Sequence, residues 1–95
     1  MADQLKKADI AEAIGALEGW ALSTDGKAIE KTFRFENFSE ALGFMVRAGL
    51  AAETMDHHPD WKNVYDRVEV RLTTHSAGGL TELDFRLAAR MDALI

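Results

Sequence analysis

Ninety-five residues, 47% hydrophobic and 28% charged with a single proline, describe one folded domain across residues 1–95 rather than a disordered chain. A formal charge of −5 argues against direct nucleic-acid binding, because phosphate-backbone binders gather Lys and Arg on one face. The absence of cysteine excludes disulfides, thiolate metal ligands and cysteine nucleophiles.

No apolar run approaches the roughly 18 residues of a membrane span, and "MADQLKKADIAEAIG" has no continuous apolar segment of the signal-peptide kind, so a cytoplasmic protein without a membrane partner is expected. A chain this short buries only about 60 to 70% of its unfolded surface, so self-association would add stability.

In chain order, Ile10, Ala13, Ile14 and Leu17 recur at helical spacing and predict a first helix over Asp9 to Leu17, stopped by Gly19. "WALSTDGKAIEKTFRF" predicts a β-hairpin about Asp25-Gly26, with Ile29, Lys31, Phe33 and Phe35 on one face and Ala28, Glu30, Thr32 and Arg34 on the other. Asn37, with Glu40 three residues on, has the form of a capping box. It opens a long helix whose Phe38, Ala41, Leu42, Met45, Gly49 and Ala52 are spaced for one buried face.

Val64 to Thr74 predicts a second hairpin turning at Asp66, with Val68, Val70 and Leu72 inward and Arg67, Glu69 and Arg71 outward. Thr81 is the N-cap of a last helix, Asp84 its capping-box partner, and Leu80 and Phe85 occupy hydrophobic-staple positions. The expected fold is α+β: a two-layer α-β-β-α-β-β-α domain with antiparallel hairpins burying one face under helices.

All three histidines fall within nineteen residues: His57 and His58 past the long helix, and His75 at the end of the last strand. If that strand pairs back toward the segment from His58 to Val64, the imidazoles converge at one edge of the sheet. Adjacent histidines on extended chain point to opposite faces and make poor joint ligands, and no HExxH-type pair exists, so no metal is expected.

A polar connection is one account of the cluster. Proton transfer is the other, since imidazole titrates near neutrality and an adjacent carboxylate orients its ring. Glu53 and Asp56 favour the second account. They sit in the last turn of the long helix, where the macrodipole disfavours carboxylates by about 0.3 to 1 kcal/mol each. Trp20 and Trp61 offer surfaces for a flat ligand, or core packing.

The stretch "EALGFMVRAGLAAETMDHHPDWKNVYDRVEVRLTTHSAGGLTELD", together with "LEGWALS" and "AIEKTFRFENFSEALGFM", resembles the pterin-4a-carbinolamine dehydratases over nearly the whole chain. The resemblance rests on HHP, Asn-Val-Tyr and Thr-His before "GLT" in that order. It implies a cofactor-free lyase that dehydrates a 4a-hydroxytetrahydropterin to the quinonoid dihydropterin and so recycles tetrahydropterin for an aromatic amino-acid hydroxylase.

The same resemblance implies that His57 and His75 transfer protons and His58 mainly holds the pterin, making these three the catalytic set. It also implies substrate-binding roles for Glu53, Asp56, Trp61, Trp20 and Asp84. At Leu83 the chain departs from mammalian members, which carry an arginine there, and Arg86 is not assumed to replace it.

The resemblance further implies a four-stranded saddle-shaped sheet with helices on one face, assembled as a homodimer or, through the long helix, a homotetramer. The small residues of "RAGLAA" suit either close approach of two such helices or packing on the domain's own sheet. Because mammalian relatives also serve as dimerisation cofactors of a transcription factor, an interaction module with an inherited site is the alternative function.

Overall fold

A computed structural model describes residues 3–95. It contains α1 (Lys7–Gly15), β1 (Ala21–Leu22), β2 (Ile29–Arg34), α2 (Phe38–Thr54), β3 (Asp60–Val64), β4 (Arg67–Leu72), a 3₁₀ turn (His75–Ala77) and α3 (Glu82–Asp92). The order α-β-β-α-β-β-α and the α+β class are those expected. The four strands form one antiparallel sheet in the order β1-β2-β4-β3.

Alternation along the two central strands decides which face is covered. Ile29 and Phe33 of β2 and Val68, Val70 and Leu72 of β4 are buried beneath the helices, while Glu30, Thr32, Arg34, Arg67, Glu69 and Arg71 occupy the open face. Phe33 and Phe35 stack against Phe44 of α2 at 4.7 and 5.1 Å between ring centroids. Leu87, Ala88 and Met91 of α3 complete the core. Fully burying side chains such as Phe44 and Leu87 contributes about 1.5–3 kcal/mol each before chain entropy is counted.

Two boundaries and one cap differ in detail from expectation. Helix α1 ends at Gly15, and its winding tightens so that the Ala16 and Leu17 amides bond to Ala13 and Ile14. Gly19, at φ 84°, reverses the chain into β1 rather than stopping the helix. At the start of α2, Asn37 Oδ1 accepts from the Glu40 amide at 2.9 Å, whereas the Glu40 carboxylate takes the Glu36 amide, a capping box displaced by one residue. β3 also begins earlier than its polar residues advertise, at Asp60.

The buried face of α2 is Ala41, Phe44, Ala48 and Ala52. Phe38 and Leu42, expected in the core, are exposed together with Val46 and Leu50. Apolar residues surround this helix, so spacing alone fits two stripes, and the sheet takes the one whose alanines allow close approach. Ala48 and Ala52 thereby pack on the domain's own core, and Gly49 lies over Trp61.

Candidate active site

The register of the last hairpin assembles the site. β3 pairs with β4 so that Asp60 opposes Arg71, and the chains leaving that end of the ladder carry His57 and His58 on one side and Thr74 and His75 on the other. Thr74 also makes a bridge with Gly79, amide to carbonyl in both directions, which closes the His75–Gly78 loop, with Gly78 in the left-handed region at φ 75°.

Asp84 joins these segments. It is fully buried at the third position of α3, and its Oδ1 lies 2.6 Å from Nε2 of His57, whose residue is 8% exposed. Its Oδ2 accepts from the Thr81 amide at 2.9 Å and from the Thr74 hydroxyl at 2.8 Å. The Thr74 and Thr81 hydroxyls are themselves 2.8 Å apart, and the Thr81 oxygen accepts from the Leu83 amide at 3.2 Å. The capping box read from the sequence therefore exists, and the same carboxylate that caps α3 holds a histidine. Thr74 was not marked by the sequence pattern; only its place immediately before His75 hinted at it.

His57 is placed by the end of α2. The Asp56 amide bonds to the Glu53 carbonyl and the His57 amide to the Ala52 carbonyl, each at 3.1 Å, which is a Schellman closure. Such a closure needs a left-handed residue after the cap. Here that residue is Asp56, at φ 50°, where glycine is usual. Pro59 then restricts His58 to extended backbone.

The side chain of His58 is exposed and reaches back to Glu53, with Nε2 2.7 Å from Oε1. His75, also exposed, opens the 3₁₀ turn directly after Thr74. The hairpin thus brings His57 and the segment bearing His75 to one carboxylate, while His58 forms a separate pair at the surface. Among the described residues no group of three His, Asp or Glu side chains has the geometry to hold a metal ion.

Trp20 lies elsewhere. Trp20 is buried, edge-on to Phe33 at 5.9 Å, and its indole N–H donates to Asp92 at 3.0 and 3.2 Å. Lys31 Nζ completes this knot, 2.8 Å from Asp92 and bonded to the Glu18 carbonyl. Asp92 and Asp84 are eight residues apart on α3, about 12 Å along the axis, which places the Trp20 indole in the core at the other end of the helix.

Trp61 pairs with Val70 on the covered face, half-buried against Gly49. Leu83 is half-buried in the first turn of α3, and Arg86 borders an apolar groove between α1 and α3 lined by Leu5, Leu17 and Phe85.

Comparison with known proteins adds a family. Residues 3–94 match the family model described as Pterin 4 alpha carbinolamine dehydratase. Proteins of Sinorhizobium fredii and Rhizobium meliloti, each named "Putative pterin-4-alpha-carbinolamine dehydratase", are 56% identical over 90 residues, covering 95% of this chain and 86% of theirs. A crystal structure of a transcriptional coactivator/pterin dehydratase from Brucella melitensis superposes with a TM-score of 0.94 at 47% identity, covering 97% of this chain and 98% of the other.

Proposed function

We propose that this chain, which belongs to the pterin 4 alpha carbinolamine dehydratase family, dehydrates a 4a-hydroxytetrahydropterin to the quinonoid dihydropterin and returns it toward an aromatic amino-acid hydroxylase. The observation that carries the reading is the buried contact of His57 with Asp84, an imidazole oriented by a carboxylate as general acid–base chemistry requires.

Loss of water from the substrate moves two protons. One goes to the departing C4a hydroxyl, which leaves as water, and one is removed from the neighbouring ring nitrogen, so the product forms without net oxidation. His57 and His75 carry these transfers, and His58, paired with Glu53, holds the pterin. Asp84 orients His57, Asp56 contributes a carboxylate from the neighbouring position in the chain, and Trp61 contributes an aromatic surface for the pterin, whereas Trp20, bonded to Asp92 at the far end of α3, braces the core instead. No cofactor enters this scheme. The protein acts in the cytoplasm as a homodimer or homotetramer. The exposed Phe38, Leu42, Val46 and Leu50 stripe of α2 supports self-association.

The test is turnover of each substrate stereoisomer by single variants. His57→Ala or His75→Ala is expected to lower kcat by roughly 10²-fold or more, and His58→Ala to act mainly on KM. Small, equal losses in all three on both isomers would overturn the assignment.

A second reading, an interaction module, is favoured by the coactivator half of the Brucella melitensis protein's name. A pure module would bind no pterin. A dihydropterin analogue at about 100 times its dissociation constant should instead stabilise the enzyme by about 2.7 kcal/mol, and Trp61→Ala should weaken that gain.

A further inference from the structure

We propose that Thr74 is a positioning residue which, through Asp84, fixes the proton of His57 on Nε2, so that His57 works through Nδ1. The assignment of the nitrogen follows from hydrogen-bond donors alone. What Nδ1 does there rests on the dehydratase reading.

Proton counting around Asp84 leads to this result. The Thr81 amide is an obligatory donor and points at Oδ2. The Thr74 hydroxyl has one proton, which it also gives to Oδ2. Its oxygen must then accept the contact from the Thr81 hydroxyl at 2.8 Å, making Thr81 the donor of that pair. The Thr81 oxygen in turn accepts from the Leu83 amide.

Every proton of the network therefore runs toward Asp84. Oδ2, receiving two donors, carries no proton itself, and donated hydrogen bonds favour the ionised carboxylate, in which Oδ1 is an acceptor as well. The proton in the 2.6 Å contact is then that of the His57 Nε2–H.

The opposite edge of the ring is the working one. Among the described residues no buried side-chain nitrogen or oxygen is left without a hydrogen-bond partner, and the ring of His57 is bonded through Nε2. Nδ1 therefore reaches solvent, with its lone pair free in the neutral ring and a second N–H in the charged one. The Schellman closure of α2 holds the backbone of this residue, and Asp84 fixes the ring about its side-chain bonds. Thr74 sits at the junction because its backbone closes the His75 loop while its hydroxyl sets the Asp84 carboxylate.

Nitrogen-15 NMR of the histidine side chains, with His57 assigned by its loss in His57→Ala, tests the proposal without reference to activity. At a pH where the ring is neutral, wild-type His57 should show a protonated Nε2, with a slowly exchanging, downfield proton, and a bare Nδ1. Thr74→Val, which keeps the shape and removes the hydroxyl, should move that proton upfield, speed its exchange and lower kcat by about tenfold to a hundredfold with little change in KM. Thr74→Ser should restore both signals.

A wild-type ring protonated on Nδ1 overturns the proposal. So does a Thr74→Val protein whose Nε2 proton and kcat are unchanged. If the variant does not fold, the wild-type tautomer and the serine variant still decide. If the tautomer is as stated but the wild-type protein turns over no carbinolamine, the dehydratase reading falls and the positioning stands.

Discussion

Replacing Asp56 by glycine should make the protein more stable and a poorer catalyst. Asp56 holds the left-handed position of the α2 closure at φ 50°. An ordinary side chain there costs about 1–2 kcal/mol, and aspartate, which bonds locally, stands at the low end of that range. Its charge also faces the negative end of the α2 dipole, an adverse contribution of about 0.3–1 kcal/mol at low ionic strength.

Glycine removes both costs but adds roughly 0.5–1 kcal/mol of unfolded-state entropy, so the net gain is about 0.5–1 kcal/mol. With an unfolding entropy near 2.1 cal/mol/K per residue, Tm should rise by about 3–5 °C. Urea and thermal unfolding of Asp56→Gly, Asp56→Asn and Asp56→Ala would separate the terms. Asparagine relieves only the charge, and its gain should shrink in high salt. Alanine keeps the backbone strain and should be about 1 kcal/mol less stable than glycine. A glycine variant no more stable than alanine would refute the backbone argument. A glycine variant with wild-type kcat and KM on both isomers would remove the Asp56 carboxylate from the proposed site.

Gly49→Ala should stabilise α2 by about 0.8–1 kcal/mol. The added Cβ would lie 3.8 Å from the Trp61 ring, an ordinary contact, and a fall in Tm would mean that this surface is pressed by something other than Trp61. The Asp25 carboxyl lies below the usual carboxylate range because Ser23 donates to it, with help from the Lys27 amide and the Arg71 charge. Its contribution is thus present above the unfolded value near 3.8 and lost as pH falls through the lower folded value. Ser23→Ala should raise the Asp25 midpoint in an NMR titration; an unmoved midpoint would refute the assigned cause. Dialysis against a strong chelator should leave turnover unchanged, and a loss restored by zinc would overturn the metal-free mechanism.

Where a local interaction dictated structure, it could be read from the residues. Thr81 and Asp84 cap α3 because both partners lie within one turn. Val68, Val70 and Leu72 alternate inward because the open sheet face is polar. The histidines were legible as a set, and their meeting depended on one strand pairing.

What escaped depended on tertiary choice or backbone angle. The face of α2 that the sheet would cover was undetermined among two apolar stripes. Nothing in Trp20 announced a partner seventy-two residues away. The left-handed angle at Asp56 carries no pattern, and a threonine in a strand-like run does not advertise that its hydroxyl belongs to a carboxylate on a later helix.

The double use of Asp84 has a dynamic consequence. The bonds that start α3 also hold His57, so fraying of the first turn of that helix and disassembly of the site are one event. Amide hydrogen exchange at Thr81 and Leu83 would then measure the fraction of molecules in which the His57–Asp84 contact is intact, and under the proposed function any condition that loosens this helix end should lower turnover well before the domain unfolds.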